Sequence, residues 1–376
     1  MNVVVVTAHG LNCHWLGPYG NEWVATPAFD ALACESVVFD RHLADDPSPA
    51  GFRDATDPLF AALRARGIRS VFVDDRQGPA QPSNSDEIVR TRPAEHSSPG
   101  DALIAAVEEG LDRLGDRWLL WIETDRLLPP WDIDAETYQH YASATAGFTD
   151  GEDSETEETP RPYDDPSRAP VAIDDRAEWH RLHNSFATAV TGFDAELDVL
   201  VEVLRERGLD QSATWVVTSG YGWPLAEHGI VGPDESQMHE ELVHLPLLMR
   251  FPQHREGMRR VSAFTRTSDL VPLVLDQIDV AKTNDQATAL PLTLRSDGDQ
   301  RGLVRMASRR GSELERAIRT LEWAYLAAVP ARGLPARLYR KPDDIWEVND
   351  LAPRHPDECD RLAALLDGQP NPAEES

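Results

Sequence analysis

The chain has 376 residues, 41% of them hydrophobic, and a formal net charge of −29, enough for a large core in one large domain or two unequal ones. That charge, with an isoelectric point near 4.7, argues against nucleic acid and anionic membrane surfaces as partners, because both demand positive patches. No run approaches the roughly 18–20 apolar residues that span a bilayer.

The first element is the apolar run at residues 3–6 of MNVVVVTAHG. It lacks a basic start and is too short for a secretory leader, so it reads as a buried strand and the chain is expected to be cytoplasmic. The three cysteines (Cys13, Cys34, Cys359) agree, being odd in number and far apart, with no CxxC. A helical pattern at 58–66 precedes a strand at 68–73, and another at 101–114 precedes a strand at 118–122. Residues from about 147 to 170 are acidic and rich in proline, and predict a solvated loop. Its carboxylates lack the spacing of a calcium loop.

Next, Leu182, Phe186, Ala189, Val190, Phe193, Leu197, Leu200, Val201 and Leu204 recur at three- and four-residue steps. This is one apolar stripe of a long helix, with Gly208 as a natural stop. Strands at 214–218 and 246–251 follow, then a helix capped by Ser268 or Asp269 and running to 275. After about 296 come strand candidates at 303–306, 321–326 and 337–339 and a final amphipathic helix at 356–366. Such alternation predicts an α/β protein with a mostly parallel central sheet and helices on both faces. It is expected to occupy residues 1–295, with a small C-terminal α+β subdomain over 296–376 bearing a short antiparallel sheet.

Only two residues are lysine, Lys282 and Lys341; every other basic side chain is arginine or histidine. With the charge of −29, this predicts a halophilic protein, whose carboxylates keep the surface hydrated while salt screens their repulsion; the alternative is a GC-rich genome plus one acidic loop. Melts in low and in multimolar KCl are expected to show a midpoint that climbs with salt; a midpoint indifferent to KCl contradicts the halophilic reading.

Three stretches carry a family resemblance. Residues 2–40 include Leu16-Gly17-Pro18-Tyr19-Gly20-Asn21, Thr26-Pro27 and Val37-Val38-Phe39-Asp40. Residues 182–252 include LRERGLDQSATWVVTSGYGWPLAEHGIVG and HLPLLMRFP, and toward the end stand SDLVPLVLDQIDV and ARLYRKPDDIWEVNDLA. WIETDRLLPPWDI adds a fourth, shorter match. In this order the segments resemble the sulfatase family, of the alkaline phosphatase-like superfamily.

The resemblance implies a sulfate-ester hydrolase fold with a divalent cation, usually calcium. Family members hold it by Asp-Asp after the first strand and Asp-His or Asp-Asn after a later one, and their formylglycine nucleophile arises within a C/S-x-P-S-R motif. On those positions this chain has Ala8-His9 or His9-Gly10, then Gly220-Tyr221, with Pro47-Ser48-Pro49 at the nucleophile. Val73-Asp74-Asp75-Arg76 stands at the GKWH position, and Pro233 where a lysine is expected. The expectation is a degenerate, catalytically inactive member with no metal ligands and no cofactor, serving a binding, scaffolding or regulatory role toward a small anionic ligand or a protein partner.

The alternative is an active sulfuric or phosphoric ester hydrolase using ligands outside the family pattern. For it, Ser48 is the candidate nucleophile with Asp45, Asp46 or His42 as base, and two or three of His9, His14, His42, His228 and His239 would have to converge on a softer metal. The candidate pocket residues are His9, Ser48, Tyr221 and His228. The crevice at the carboxyl ends of the strands is expected to be lined by His9, Ser48, residues 121–124 and Tyr221, a weakly charged and partly aromatic set.

Overall fold

The computed structural model describes residues 2–76, 84–92, 98–145, 161–163, 165–166, 176–233, 237–279, 301–310 and 312–368. The acidic run at about 147–170 falls outside these, apart from 161–163 and 165–166, as does Lys282. β1 (Asn2–Ala8) is buried from Val3 onward. Its side chains alternate between two cores: Val4 and Val6 join one, Val3 and Val5 the other. A strand covered on both faces has no polar side to show, which explains the uninterrupted valine run.

The remaining elements in chain order are α1 (Pro27–Cys34), β2 (Val37–Leu43), α2 (Pro49–Ala65), β3 (Arg69–Asp75), β4 (Glu87–Arg90), α3 (Pro99–Asp112), β5 (Trp118–Thr124), α4 (Ala135–Thr145), α5 (Arg176–Glu206), β6 (Ala213–Thr218), α6 (Glu240–Val243), β7 (His244–Leu245), β8 (Leu247–Arg250), β9 (Arg259–Arg266), α7 (Leu270–Asp279), β10 (Leu303–Arg310), β11 (Glu313–Thr320), β12 (Trp323–Leu326), β13 (Arg337–Arg340) and α8 (Pro356–Leu366). Nine strands form one sheet in the order β4-β3-β5-β1-β6-β8-β2-β7, with β9 also paired to β2. From β4 to β6 all pairs are parallel, whereas β8 runs antiparallel to β6 and to β2.

Residues of α1, α3 and α5 line one core, and residues of α2 and α7 the other. This matches the predicted α/β class. A separate antiparallel sheet, β10-β11-β12-β13, packs α8 through Ile318, Tyr325, Leu338, Leu362 and Leu365. No helix among the described residues is long and apolar enough to cross a membrane.

The helix expected at 58–66 begins nine residues earlier. Ser48 caps it, accepting from the Gly51 amide, with Pro49 at its first turn and Pro58 carried inside it. Proline is at home in a first turn, but its interior cost is overcome here by burial of Phe52, Leu59, Phe60 and Leu63. The helix expected from Ser268 or Asp269 starts at Leu270, after a single 3-10 turn at Thr267–Asp269. The strand expected at 321–326 is shorter, starting at Trp323.

Candidate functional site

The carboxyl ends of β1, β3, β5 and β6 meet beside the first turn and a half of α2. His9 follows β1 directly and is 3% exposed. Its ring stacks on Tyr221, centroids 4.9 Å apart at 11°, and meets Phe52 of α2 edge-on at 5.2 Å. His9 Nε2 lies 2.9 Å from Glu123 Oε1, and Arg76 Nη1 donates to the same oxygen at 2.8 Å. Arg76 Nε donates to Asp74 Oδ1 at 2.8 Å, and Arg90 Nη2 to Asp74 Oδ2 at 3.3 Å. One step away, Asp75 Oδ2 accepts from Thr124 Oγ1 at 2.7 Å and from Arg126 Nε at 3.0 Å.

These three carboxylates, with Asp125 just beyond β5, crowd this end of the sheet. Burial raises the Glu123 carboxyl, but His9 and Arg76 outweigh it and hold the group below the usual range. Asp125 goes the other way, pushed up to about 6, first by burial and also by Glu123 and Asp74. The crevice is thus strongly charged, correcting the weakly charged lining expected from sequence. Trp121 does not line it: that ring is 1% exposed and sits in the core with Phe52 and Phe60.

Gly220 closes the crevice further. A Cβ built there would lie 2.7 Å from both Cε1 and Nδ1 of His9 and 2.9 Å from Phe52 Cγ, so the histidine and phenylalanine rings fill the volume a side chain would need. Calcium takes six to eight oxygen donors. His9, Gly10, Gly220 and Tyr221 supply no carboxylate; Glu123, Asp74 and Asp75 are already engaged with His9, Arg76, Arg90 and Arg126, which leaves Asp125 as one acidic donor. This donor set does not fit a calcium shell.

The other candidates have partners of their own. Ser48 Oγ accepts from the Gly51 amide at 2.9 Å and donates to Asp46 Oδ1 at 2.9 Å; Ser308 Oγ donates to that same oxygen at 2.7 Å. His42, offered as its base, instead bonds Thr265 Oγ1 through Nδ1 at 3.0 Å, and burial lowers it to about 4. His228 Nδ1 pairs with Glu241 Oε1 at 2.8 Å, and its ring stacks on His239 at 3.6 Å. Burial opposes the charge on His228, yet Glu241 raises the group to about 9.

His239 Nδ1 in turn lies 2.8 Å from Glu347 Oε2. Glu347 Oε1 is 2.9 Å from Arg319 Nη2 and 3.1 Å from Lys341 Nζ, and Lys341 also reaches Glu240 Oε2 at 2.9 Å. Of the five histidines singled out, only His228 and His239 converge, and they meet carboxylates. His14 instead faces His244 and Glu240, which offer ligand atoms within 4.8 Å of one another. There Lys341 supplies a cation to Glu240 and His244 Nδ1 lies 2.9 Å from Glu240 Oε1, so the carboxylate's oxygens are already engaged.

Sequence reasoning placed Glu123 in the lining through residues 121–124 and named Arg76, but it missed their pairing with His9 and the Glu347 cluster. One signal existed: Glu123 interrupts the otherwise apolar run WLLWIET, and a charge inside a buried strand requires a partner.

The model of the sulfatase family matches residues 50–280. The chain belongs to the sulfatase family. Among curated proteins it is 26% identical over 181 residues to arylsulfatase K of Danio rerio, covering 46% of this chain and 34% of that one. It is 27% identical over 122 residues to an N-acetylglucosamine-6-O-sulfatase of Bacteroides thetaiotaomicron, covering 32% of this chain and 22% of that one. These matches span about a third or less of the relatives' length. Among solved structures, the phosphonate monoester hydrolase of Agrobacterium radiobacter superposes with a TM-score of 0.72 at 15% identity, over 98% of this chain and 95% of that one. A 2-O GAG sulfatase gives 0.68 at 15% identity, over 98% and 91%. At such identity these structures establish the alkaline phosphatase-like fold alone.

Proposed function

We propose that this member of the sulfatase family is silent at the family's catalytic position and works by binding. The observation that supports this most is the volume beside Gly220, taken by the rings of His9 and Phe52, with His9 fastened to Glu123. Sulfuryl transfer on the family plan needs a hard cation to polarise the ester oxygens and support an ionised nucleophile. Here Arg76, Arg90, Arg126 and His9 occupy the side chains of Glu123, Asp74 and Asp75, oxygens that such an ion would require. Ser48 is held as a helix cap, the common role of serine before a Pro-initiated helix. Three unpaired cysteines favour a reducing, cytoplasmic setting.

Elemental analysis of the purified chain, with p-nitrophenyl sulfate and phosphate assays, tests the reading. The expected result is no stoichiometric calcium, magnesium, manganese or zinc and no turnover above buffer. Stoichiometric tightly held metal, or turnover that His9→Ala or Ser48→Ala abolishes, overturns it in favour of an ester hydrolase with its own ligand set.

A further inference from the structure

A second cavity, of about 410 Å³, is built from five chain segments and lined by four tryptophans, Trp15, Trp23, Trp179 and Trp346. Their rings are held by neighbours. Trp179 stacks on His183 at 3.6 Å and 25°, His183 meets Trp15 at 5.4 Å, and Trp15 meets Trp23 at 6.1 Å. On another side Trp346 packs against His14 at 4.4 Å. The loop after β6 adds Glu227 to this wall.

The polar inventory decides what fits. Asn21 lines the cavity, but its Nδ2 donates to the His14 carbonyl at 2.6 Å and its Oδ1 accepts from the amides of Trp23 and Val24 at 2.8 Å. His183 Nε2 is spent on the Leu225 carbonyl at 3.1 Å. Both cavity histidines are kept neutral, His14 lowered to about 4 and His183 to about 3, in each case chiefly by burial. Glu227 accepts from the Leu225 amide at 2.5 Å, but no cation among the described residues forms an ion pair with it. Burial and the nearby Glu241 push its carboxyl up to about 8 against the opposing charge of His228, so near neutrality it is largely protonated and a cation bound beside it would draw the proton off.

A sugar needs several outward donors and acceptors, whereas Asn21 Oδ1 and His183 Nε2 are already engaged and, of the cavity histidines, His14 Nδ1 stands without a hydrogen-bond partner among the described residues. An anion would face an acidic side chain and four π-faces, and the nearest cation, His228, is already paired with Glu241. A positively charged alkylammonium suits both the negative faces of indole rings and an acid that can give up its proton to pair with it.

We propose that this tryptophan cavity binds a small organic cation of the quaternary ammonium class, with the indoles around its methyl groups and the Glu227 carboxylate as counter-ion. This inference does not depend on whether the His9 crevice is catalytic. The sign of charge is opposite to the anionic ligand expected from sequence.

The test titrates the full chain, at constant ionic strength, with choline, its uncharged isostere 3,3-dimethylbutan-1-ol, and N-acetylglucosamine, following tryptophan fluorescence and calorimetry. Choline is expected to saturate, and the isostere to bind at least about tenfold more weakly, since the two differ only in the charge the cage recognises. Glu227→Gln is expected to erase that preference, and Trp346→Ala, at a half-exposed ring, to weaken choline without disturbing the fold. Should Glu227→Gln fail to fold, the choline-to-isostere ratio in the wild type and the Trp346→Ala variant decide. Equal binding of the two isosteres, saturation by the sugar alone, no saturation by any probe, or a Trp346→Ala variant that binds choline undiminished overturns the proposal.

Discussion

Glu347→Gln is expected to destabilise the chain by about 3–5 kcal/mol, the usual range when one member of a buried ion cluster is removed and its partners are left charged. The residue is 1% exposed and receives Arg319, Lys341 and His239 at 2.9, 3.1 and 2.8 Å. No water can replace those contacts cheaply. Urea unfolding monitored by circular dichroism measures the change, and a shift smaller than about 1 kcal/mol would place the cluster among surface-type pairs.

The same residue predicts the acid limb of stability. Burial raises the Glu347 carboxyl, but Arg319 and Lys341, helped by His239, override it and hold the group at about 2. A carboxyl with a depressed folded value contributes stability that is complete above its unfolded value of about 4.3 and is lost as pH falls through the folded one. The wild type should therefore lose stability between roughly pH 4.3 and 2 more steeply than Glu347→Gln does.

Gly220→Asp restores an acidic residue at the position where the family resemblance places a cation ligand. It is expected to cost about 3–5 kcal/mol, because overpacking and an unpaired buried charge act together. The obstruction is specific: His9 and Phe52 stand 2.7 and 2.9 Å from the new Cβ. In a His9→Ala background the same change should therefore cost less, with a coupling of about 1–2 kcal/mol in a double-mutant cycle. Strict additivity of the two substitutions would show that the crevice relaxes around residue 220, and the argument for a closed site would lose its steric basis.

The parts of the fold legible in sequence are those where one local rule dominates. A strand buried on both faces writes itself as an apolar run, so the strands at Val3, Val71, Leu120 and Val216 stand out. The stripe from Leu182 to Leu204 names α5 because 3.6-residue periodicity admits few alternatives. By contrast β9, RRVSAFTR, and β11, ELERAIRT, mix charged with apolar residues without a clean period of two, so no apolar run marks them. α2 begins before the expected helix because two prolines, Pro49 and Pro58, each make a plausible first turn.

For the site, resemblance located His9 and Tyr221, which the structure brings into ring contact. It could not reveal that Arg76, at the end of β3, reaches Glu123 on β5. That pairing depends on sheet order, which no local pattern encodes. Trp179 and Trp346 lie 167 positions apart in the numbering, and for the same reason nothing local announces that they line one cavity.

β2 is synthesised early, ending at Leu43, yet its partners β7, β8 and β9 come from residues 244–266. The sheet thus cannot close on that side until about two hundred further residues have left the ribosome. Until then VVFDRHL is an unpaired apolar edge. Pairing so distant in sequence is slow, and a waiting edge of this kind recruits other chains. Release of this chain from translation before residue 266 should accordingly yield aggregates, not a smaller folded unit.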